Sequence, residues 1–214
     1  MKKKFIVSIL LVCFFASCSI YSSSPYLKGP TETGIQEASY YQLDKADTLV
    51  DIGSGDVKFD KIIFHTYPDL FIVLEDFDKI GKFTMKSYLK QDLKNNKFTP
   101  TVKTHYRFVA GKEDSIPLPS GIYKTVLCRK TVHDFSNVAK MTAELNRILQ
   151  KDGILIISEP DPVTTGIIDR SSKKKYFTKT GLDSLFSLQQ FERISMDSVT
   201  YDSGNMNIMR YKKK

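Results

Sequence analysis

The 214 residues hold only three cysteines, Cys13, Cys18 and Cys128. The first two lie close to the start of the chain, so Cys128 is the lone thiol of the rest and no disulfide framework is available to it. It sits inside an apolar strand pattern and reads as core packing. No Cys/His cluster has metal-ligand spacing and no Gly-x-Ser-x-Gly elbow is present, which sets aside a structural zinc site and the hydrolase nucleophile. His65 and His105 read as surface residues. No apolar run reaches the ~20 residues that a membrane-spanning helix needs. Internal repeats and low-complexity tracts are absent. The net charge is +8, but no basic stripe alternates with aromatics as single-stranded nucleic acid would want. The positive runs Lys173-Lys174-Lys175 and Lys212-Lys213-Lys214 read as solvated loop and tail.

What is present begins with a leader. Lys2-Lys3-Lys4, an apolar run over 5–15 and Ala16-Ser17 before Cys18 have the order of a secretory signal peptide. Phe15-Ala16-Ser17-Cys18 resembles the lipobox of bacterial lipoprotein precursors. The resemblance implies removal of residues 1–17, lipid on Cys18 and a protein anchored to a membrane of the cell envelope after export. Residues 18–32 would be the lipidated cysteine and tether, the stretch 19–25 after the cysteine being short, small and polar. Residues 33–214 suit one domain with a full hydrophobic core.

Within that domain, strands alternate with helices. The apolar segments 49–52, 70–74, 106–109, 123–128 and 154–158 read as strands, and several are apolar without alternation, as strands buried on both faces are. Helical periodicity covers 33–43, 58–66, 80–93, 138–149 and 180–188. Segments 191–196 and 205–211 read as a terminal antiparallel pair. This predicts an α/β fold whose mostly parallel sheet is covered on both faces.

The most informative stretch is Leu49-Val50-Asp51-Ile52-Gly53-Ser54-Gly55, a strand that runs into a glycine turn. About 20 residues later Glu75-Asp76 closes the next strand, as in folds that hold a nucleoside: the glycines admit the ligand to the backbone and the acid takes the ribose hydroxyls. The third glycine of such a turn is missing.

Taken in order, these blocks resemble the class I S-adenosylmethionine-dependent methyltransferases, of the methyltransferase type 11 kind. The matching blocks also include Ile116-Pro117-Leu118-Pro119, Val126-Leu127-Cys128-Arg129 through Val132-His133-Asp134-Phe135, Glu144-Leu145-Asn146-Arg147-Ile148-Leu149 with Gly153, and Tyr176-Phe177-Thr178. The resemblance implies a Rossmann-like, seven-stranded sheet whose seventh strand is antiparallel, and S-adenosylmethionine across the ends of the first and fourth strands. Asp51, Gly53 and Gly55 would line its methionine and sugar side. Asp76, or Glu75 one residue earlier, would take the ribose. Arg129 would stand beside the cofactor, with His133 and Asp134 near the transfer site. Lys112 replaces an acid that contacts adenine, for which Glu113 or Asp114 could substitute. Val57 replaces the third glycine, where a branched side chain is expected to crowd the ligand or the helix packing. Two functions stay open: methyl transfer to an unidentified acceptor, or a silent methyltransferase-like module that binds a metabolite or protein at the envelope.

Overall fold

Segments that are apolar on both faces can only be buried between two layers of helix, and that is what the chain builds. The computed structural model describes residues 31–77 and 105–214. Its elements run α1 (Glu32–Tyr40), β1 (Thr48–Ile52), α2 (Lys58–Thr66), β2 (Phe71–Asp76), β3 (Tyr106–Ala110) and β4 (Tyr123–Arg129). They continue as a 3-10 turn (Val132–Asp134), α3 (Val138–Ile148), β5 (Leu149–Pro160), α4 (Pro162–Thr165), α5 (Lys179–Ser187), β6 (Phe191–Tyr201) and β7 (Gly204–Lys213). The leader, residues 18–30 of the tether and the helix expected over 80–93 lie outside the described residues; residues 31 and 32 cap and open α1.

The strands form one seven-stranded sheet in the order β3-β2-β1-β4-β5-β7-β6. Neighbours from β3 to β5 pair in parallel, whereas β7 runs antiparallel to both β5 and β6. The order steps outwards from β1 to β3, then returns to β4 on the other side of β1. That reversal leaves a crevice at the carboxyl ends of β1 and β4, where open α/β sheets take ligands.

Alternation along β1 shows how the core is divided. Leu49 packs with Ile63, Phe64, Ile72 and Leu127 under α1 and α2. Val50 and Ile52 point the other way, against Met141 and Leu145 of α3 and Leu182 and Phe186 of α5. Cys128 belongs to this second layer and is fully buried. The helices start where side-chain caps are available: Thr31, Asn137 and Thr178 each accept from a backbone amide three residues on.

Differences from the sequence reading are local. β5 begins at Leu149 rather than near residue 154, because the chain bulges between its pairings at Leu149 and Ile154 and Asp152 takes φ 60°. The expected turn at Lys151-Asp152-Gly153 is therefore absorbed into the strand as this bulge. The short α4 carries no periodicity long enough to read.

Val57 is a clearer departure. It precedes α2 with φ 53° and ψ 16°, the left-handed region, where a β-branched residue is an outlier. Its side chain is 1% exposed and packs in the apolar layer under α1 and α2. The missing glycine is thus a matter of backbone strain, not of a side chain in the ligand's way. The strain costs on the order of 1–2 kcal/mol, and burial of the valine returns a similar amount, roughly 1.5 kcal/mol. Val57→Gly loses the burial but also the strain; Val57→Ala loses burial and keeps part of the strain. Denaturant unfolding is expected to find the glycine variant at least as stable as the alanine variant, the reverse of the usual helix ranking. An alanine variant clearly more stable than the glycine variant would contradict the left-handed assignment.

Candidate functional site

The carboxyl end of β1 turns sharply because its next amides are captured by β2. Gly53 N and Ser54 N both donate to the Glu75 carbonyl, at 2.9 and 3.0 Å. Gly55 N donates to Asp76 Oδ2 at 2.9 Å. Gly53 has φ 73°, and a Cβ there would lie 2.4 Å from the Thr131 side chain. Only glycine satisfies both the dihedral and the close approach.

The turn separates two clefts. One, of about 240 Å³, is lined by Gly53, Gly55, Glu75, Asp76, Phe77, Lys112, Thr131 and Asp134, among others. The second, of about 390 Å³, lies on the α1 and α2 side and includes Thr31, Asp51, Ser54, Asp60, Arg129 and Tyr201. Gly53, Gly55 and Lys130 border both.

Acids dominate this edge. Glu75 is 3% exposed, and its Oε1 fills the place a Cβ would take on Gly111, only 1.8 Å away. Burial, then the charge of Asp76, pushes the Glu75 carboxyl up to about 7. Asp51 and Asp60 are both buried, from β1 and the first turn of α2, and each bears on the other's charge. Two buried carboxyls that feel each other's charge resist ionising together. Burial, reinforced by Asp60, raises Asp51 well above the carboxylate range, and burial brings Asp60 to about 7. Asp51 Oδ1, Asp60 Oδ1 and Ser54 Oγ are buried without a hydrogen-bond partner among the described residues. Unsatisfied buried acceptors of this kind are costly unless a ligand completes them.

Arg129 is engaged elsewhere. Its Nε and Nη2 grip the two oxygens of Glu37 at 2.8 and 3.0 Å, and its guanidinium lies 3.8 Å from the centre of the Phe59 ring. Glu37 is fully buried in α1 and also accepts from Tyr41, Ser158 and Tyr201. Burial works against its charge, but Arg129 and these hydroxyls outweigh it and hold the carboxyl below its ordinary value. Arg129 therefore borders the second cleft as a neutralised pair.

His133 and Asp134 part company. His133 is 5% exposed, with Nδ1 2.7 Å from Glu159 Oε2 and its ring edge-on to Tyr176. The other oxygen of Glu159 accepts from Thr131 N and Val132 N. Burial opposes protonation of His133, yet the hydrogen bond and charge of Glu159 raise its pKa overall. The His133 ring is not among the residues lining either cleft, whereas Asp134 is, with its carboxylate 3.6 Å from His133 Nε2. Asp114 turns to Lys140 at 2.5 Å and stays outside the cleft; Lys112 and Glu113 line it instead. Among the described residues no group of three or more His, Cys, Asp or Glu could hold a metal.

With this geometry in hand, known proteins give a consistent answer. A family described as "Methyltransferase domain" matches residues 50–157, half of the chain. The chain belongs to that family. A curated relative, the uncharacterized methyltransferase YcgJ of Bacillus subtilis, is 30% identical over 71 residues. That match covers 31% of this chain and 28% of the relative's length. The crystal structure of YcgJ superposes with a TM-score of 0.63 at 16% identity, over 85% of this chain and 98% of that one. A SAM-dependent methyltransferase from Aquifex aeolicus gives 0.64 at 13% identity, over 85% and 89%. A Burkholderia thailandensis 1,6-didemethyltoxoflavin-N1-methyltransferase, solved with S-adenosylhomocysteine, gives 0.65 at 13% identity over 97% and 86%. These likenesses establish the methyltransferase fold.

Five residues named from the sequence, Asp51, Gly53, Gly55, Glu75 and Asp76, meet around the turn. Arg129 borders the second cleft together with Asp51, Gly53 and Gly55, whereas His133 and Asp114 line neither cleft. Sequence reasoning missed Asp60, Glu37 and Glu159. A charged residue on the inward face of a helical pattern was the available signal for Asp60, which lies between Phe59 and the pair Ile62-Ile63.

Because the folded Asp60 carboxyl has its pKa raised, folding favours its protonated form. That contribution is present below the unfolded value near 4 and is lost as pH rises towards 7. Asp60→Asn removes the penalty. The variant's gain in melting temperature over wild type is expected to grow from about pH 5 to about pH 8. A difference that is constant with pH, or that shrinks, would contradict the buried pair.

Proposed function

We propose that the chain binds S-adenosylmethionine across the glycine turn and transfers its methyl group to an acceptor not yet identified. The observation that carries this reading is the set of unsatisfied buried acceptors, Asp51 Oδ1, Asp60 Oδ1 and Ser54 Oγ, beside a turn whose Gly53 tolerates no Cβ. The fit to the ligand is one of charge. S-adenosylmethionine carries a sulfonium and an ammonium group, and the edge offers Asp51, Asp60, Glu75 and Asp76, while Arg129 is already neutralised.

Asp51 with Asp60 would hold the ammonium group. Glu75 is favoured over Asp76 for the ribose, since one Asp76 oxygen is spent on Gly55 N. Phe77, 65% exposed at the cleft, offers an apolar face for the base. When bound, the cofactor supplies an electrophilic methyl group. The protein's own part is to orient, to exclude water and to take up a proton. Asp134 is the group placed for that last task, with the imidazole of His133 beside it. Lipid on Cys18 and residence at the envelope remain part of the proposal, resting on the leader pattern alone. S-adenosylmethionine is a cytoplasmic metabolite, and this conflict keeps a ligand-binding module without turnover as the second reading.

Calorimetry of the full-length chain tests the proposal. Wild type is expected to bind S-adenosylhomocysteine, and Glu75→Gln to weaken it at least tenfold, the usual worth of a charged hydrogen bond at about 1.5–3 kcal/mol. Asp76→Asn should weaken it less. Absence of binding at millimolar ligand would overturn the proposal. Binding without consumption of S-adenosylmethionine in the presence of envelope extract would favour the second reading.

A further inference from the structure

The segment that follows β5 leaves large apolar side chains in solvent. Val163 is 88% exposed, Ile167 63% and Ile168 51%. Ile168 pairs with Lys175 in an isolated antiparallel bridge, so residues 168–175 project as a small hairpin. Its shape is held from inside by Asp169. One oxygen of Asp169 accepts from Ser171 N and Ser172 N at 2.7 and 2.8 Å, and the other from the Tyr176 hydroxyl. The one acid of the hairpin is thereby used internally. Arg170, Lys173, Lys174 and Lys175 are all exposed.

The hairpin stands at the carboxyl edge of the sheet, the edge that carries the clefts. Lys174 Nζ donates to the Asp134 carbonyl at 2.6 Å, and the Tyr176 ring meets the His133 ring at 4.7 Å. Phe77, 65% exposed, follows the end of β2 at the same edge. Exposed isoleucines at the base of a cationic hairpin whose acid is satisfied are the pattern of a segment that lies flat in a lipid headgroup layer: isoleucine enters the acyl boundary and lysine meets phosphate. An aqueous role explains the lysines but leaves adjacent isoleucines exposed beside them, and a purely apolar partner leaves the charges of Arg170, Lys173 and Lys175 unanswered.

We infer that the hairpin 168–175, with Ile167 and Ile168 as its apolar contact, docks on an anionic phospholipid surface and turns the cleft mouth towards it. This rests neither on methyl transfer nor on lipid at Cys18. It also narrows the acceptor to molecules reached from a bilayer surface.

The chain contains no tryptophan, so a single introduced indole reports its own position. Ile168→Trp is compared with Leu188→Trp, the latter at a site 80% exposed after α5, at the opposite edge of the sheet. Each full-length variant is mixed with phosphatidylglycerol or phosphatidylcholine vesicles containing brominated acyl chains. The apolar leader can bring either variant to a vesicle, so the reading is local quenching rather than binding. The Ile168→Trp variant is expected to shift to the blue and be quenched on phosphatidylglycerol, several-fold less on phosphatidylcholine. The Leu188→Trp variant should do neither. Adding Lys173→Gln and Lys175→Gln to Ile168→Trp should raise the anionic lipid needed for half-quenching roughly tenfold or more, at the known worth of surface lysines. If Ile168→Trp disturbs folding, Ile167→Trp gives the same reading. A solvent-like, unquenched indole at 168, equal quenching at 168 and 188, or indifference to lipid charge would each overturn the inference. So would a hairpin that binds acidic protein surfaces but no vesicle.

Discussion

A single carboxylate, Glu37, organises the carboxyl half of this fold. It is fully buried in α1 and receives Arg129 from β4, Ser158 from β5, Tyr201 from β6 and Tyr41 from the turn after its own helix. Breaking a buried pair of this kind by removing one partner costs on the order of 3–5 kcal/mol, since the other charge is left stranded. The contact fixes α1 across the sheet and, with it, Thr31 at the mouth of the second cleft. It also decides the sign of the site. Arg129, the strongest cation near the glycine turn, is neutralised, so the acids that remain set the field.

Three of those acids carry charge only at a cost. Asp51 with Asp60, and Glu75, are all raised by burial, Asp60 and Glu75 to about 7. A cationic ligand would reverse this by supplying the charge that burial withholds. The protein therefore carries an electrostatic cost in the empty cleft that a ligand of the right sign relieves. That is a reason for such a cleft to discriminate by charge as well as by shape. The strained Val57 beneath the same turn is a second cost, borne by the backbone and partly offset by burial of its side chain.

The parts legible in the sequence are those whose cause is local. Leu70 to Leu74 reads as a strand because an unbroken apolar run has no other use at that length, and the turn after Ile52 reads as a turn because two glycines break the pattern. Glu75 and Asp76 are legible because strand ends on one edge bring them beside that turn. The rest depends on partners far away in the chain. Glu37 and Arg129 are 92 residues apart, and His133 and Glu159 26 apart. Neither pairing leaves a periodic trace. Gly111 looks like an ordinary loop residue until the Glu75 side chain is seen occupying the space a Cβ would need. Asp114 and Lys112 show the limit from the other side: adjacent residues in a loop face different ways, and spacing alone does not say which.

Hydrogen–deuterium exchange of the full-length chain, with and without S-adenosylmethionine, tests the central claim most directly, because it reports where a ligand sits without assuming which residues hold it. The account predicts slowed exchange at residues 51–57 and 75–77, with a smaller effect at 111–113, and no change at the opposite edge around Tyr41, Lys45 and Lys124. Protection confined to that opposite edge, or none at the glycine turn under conditions where the ligand is bound, would contradict it.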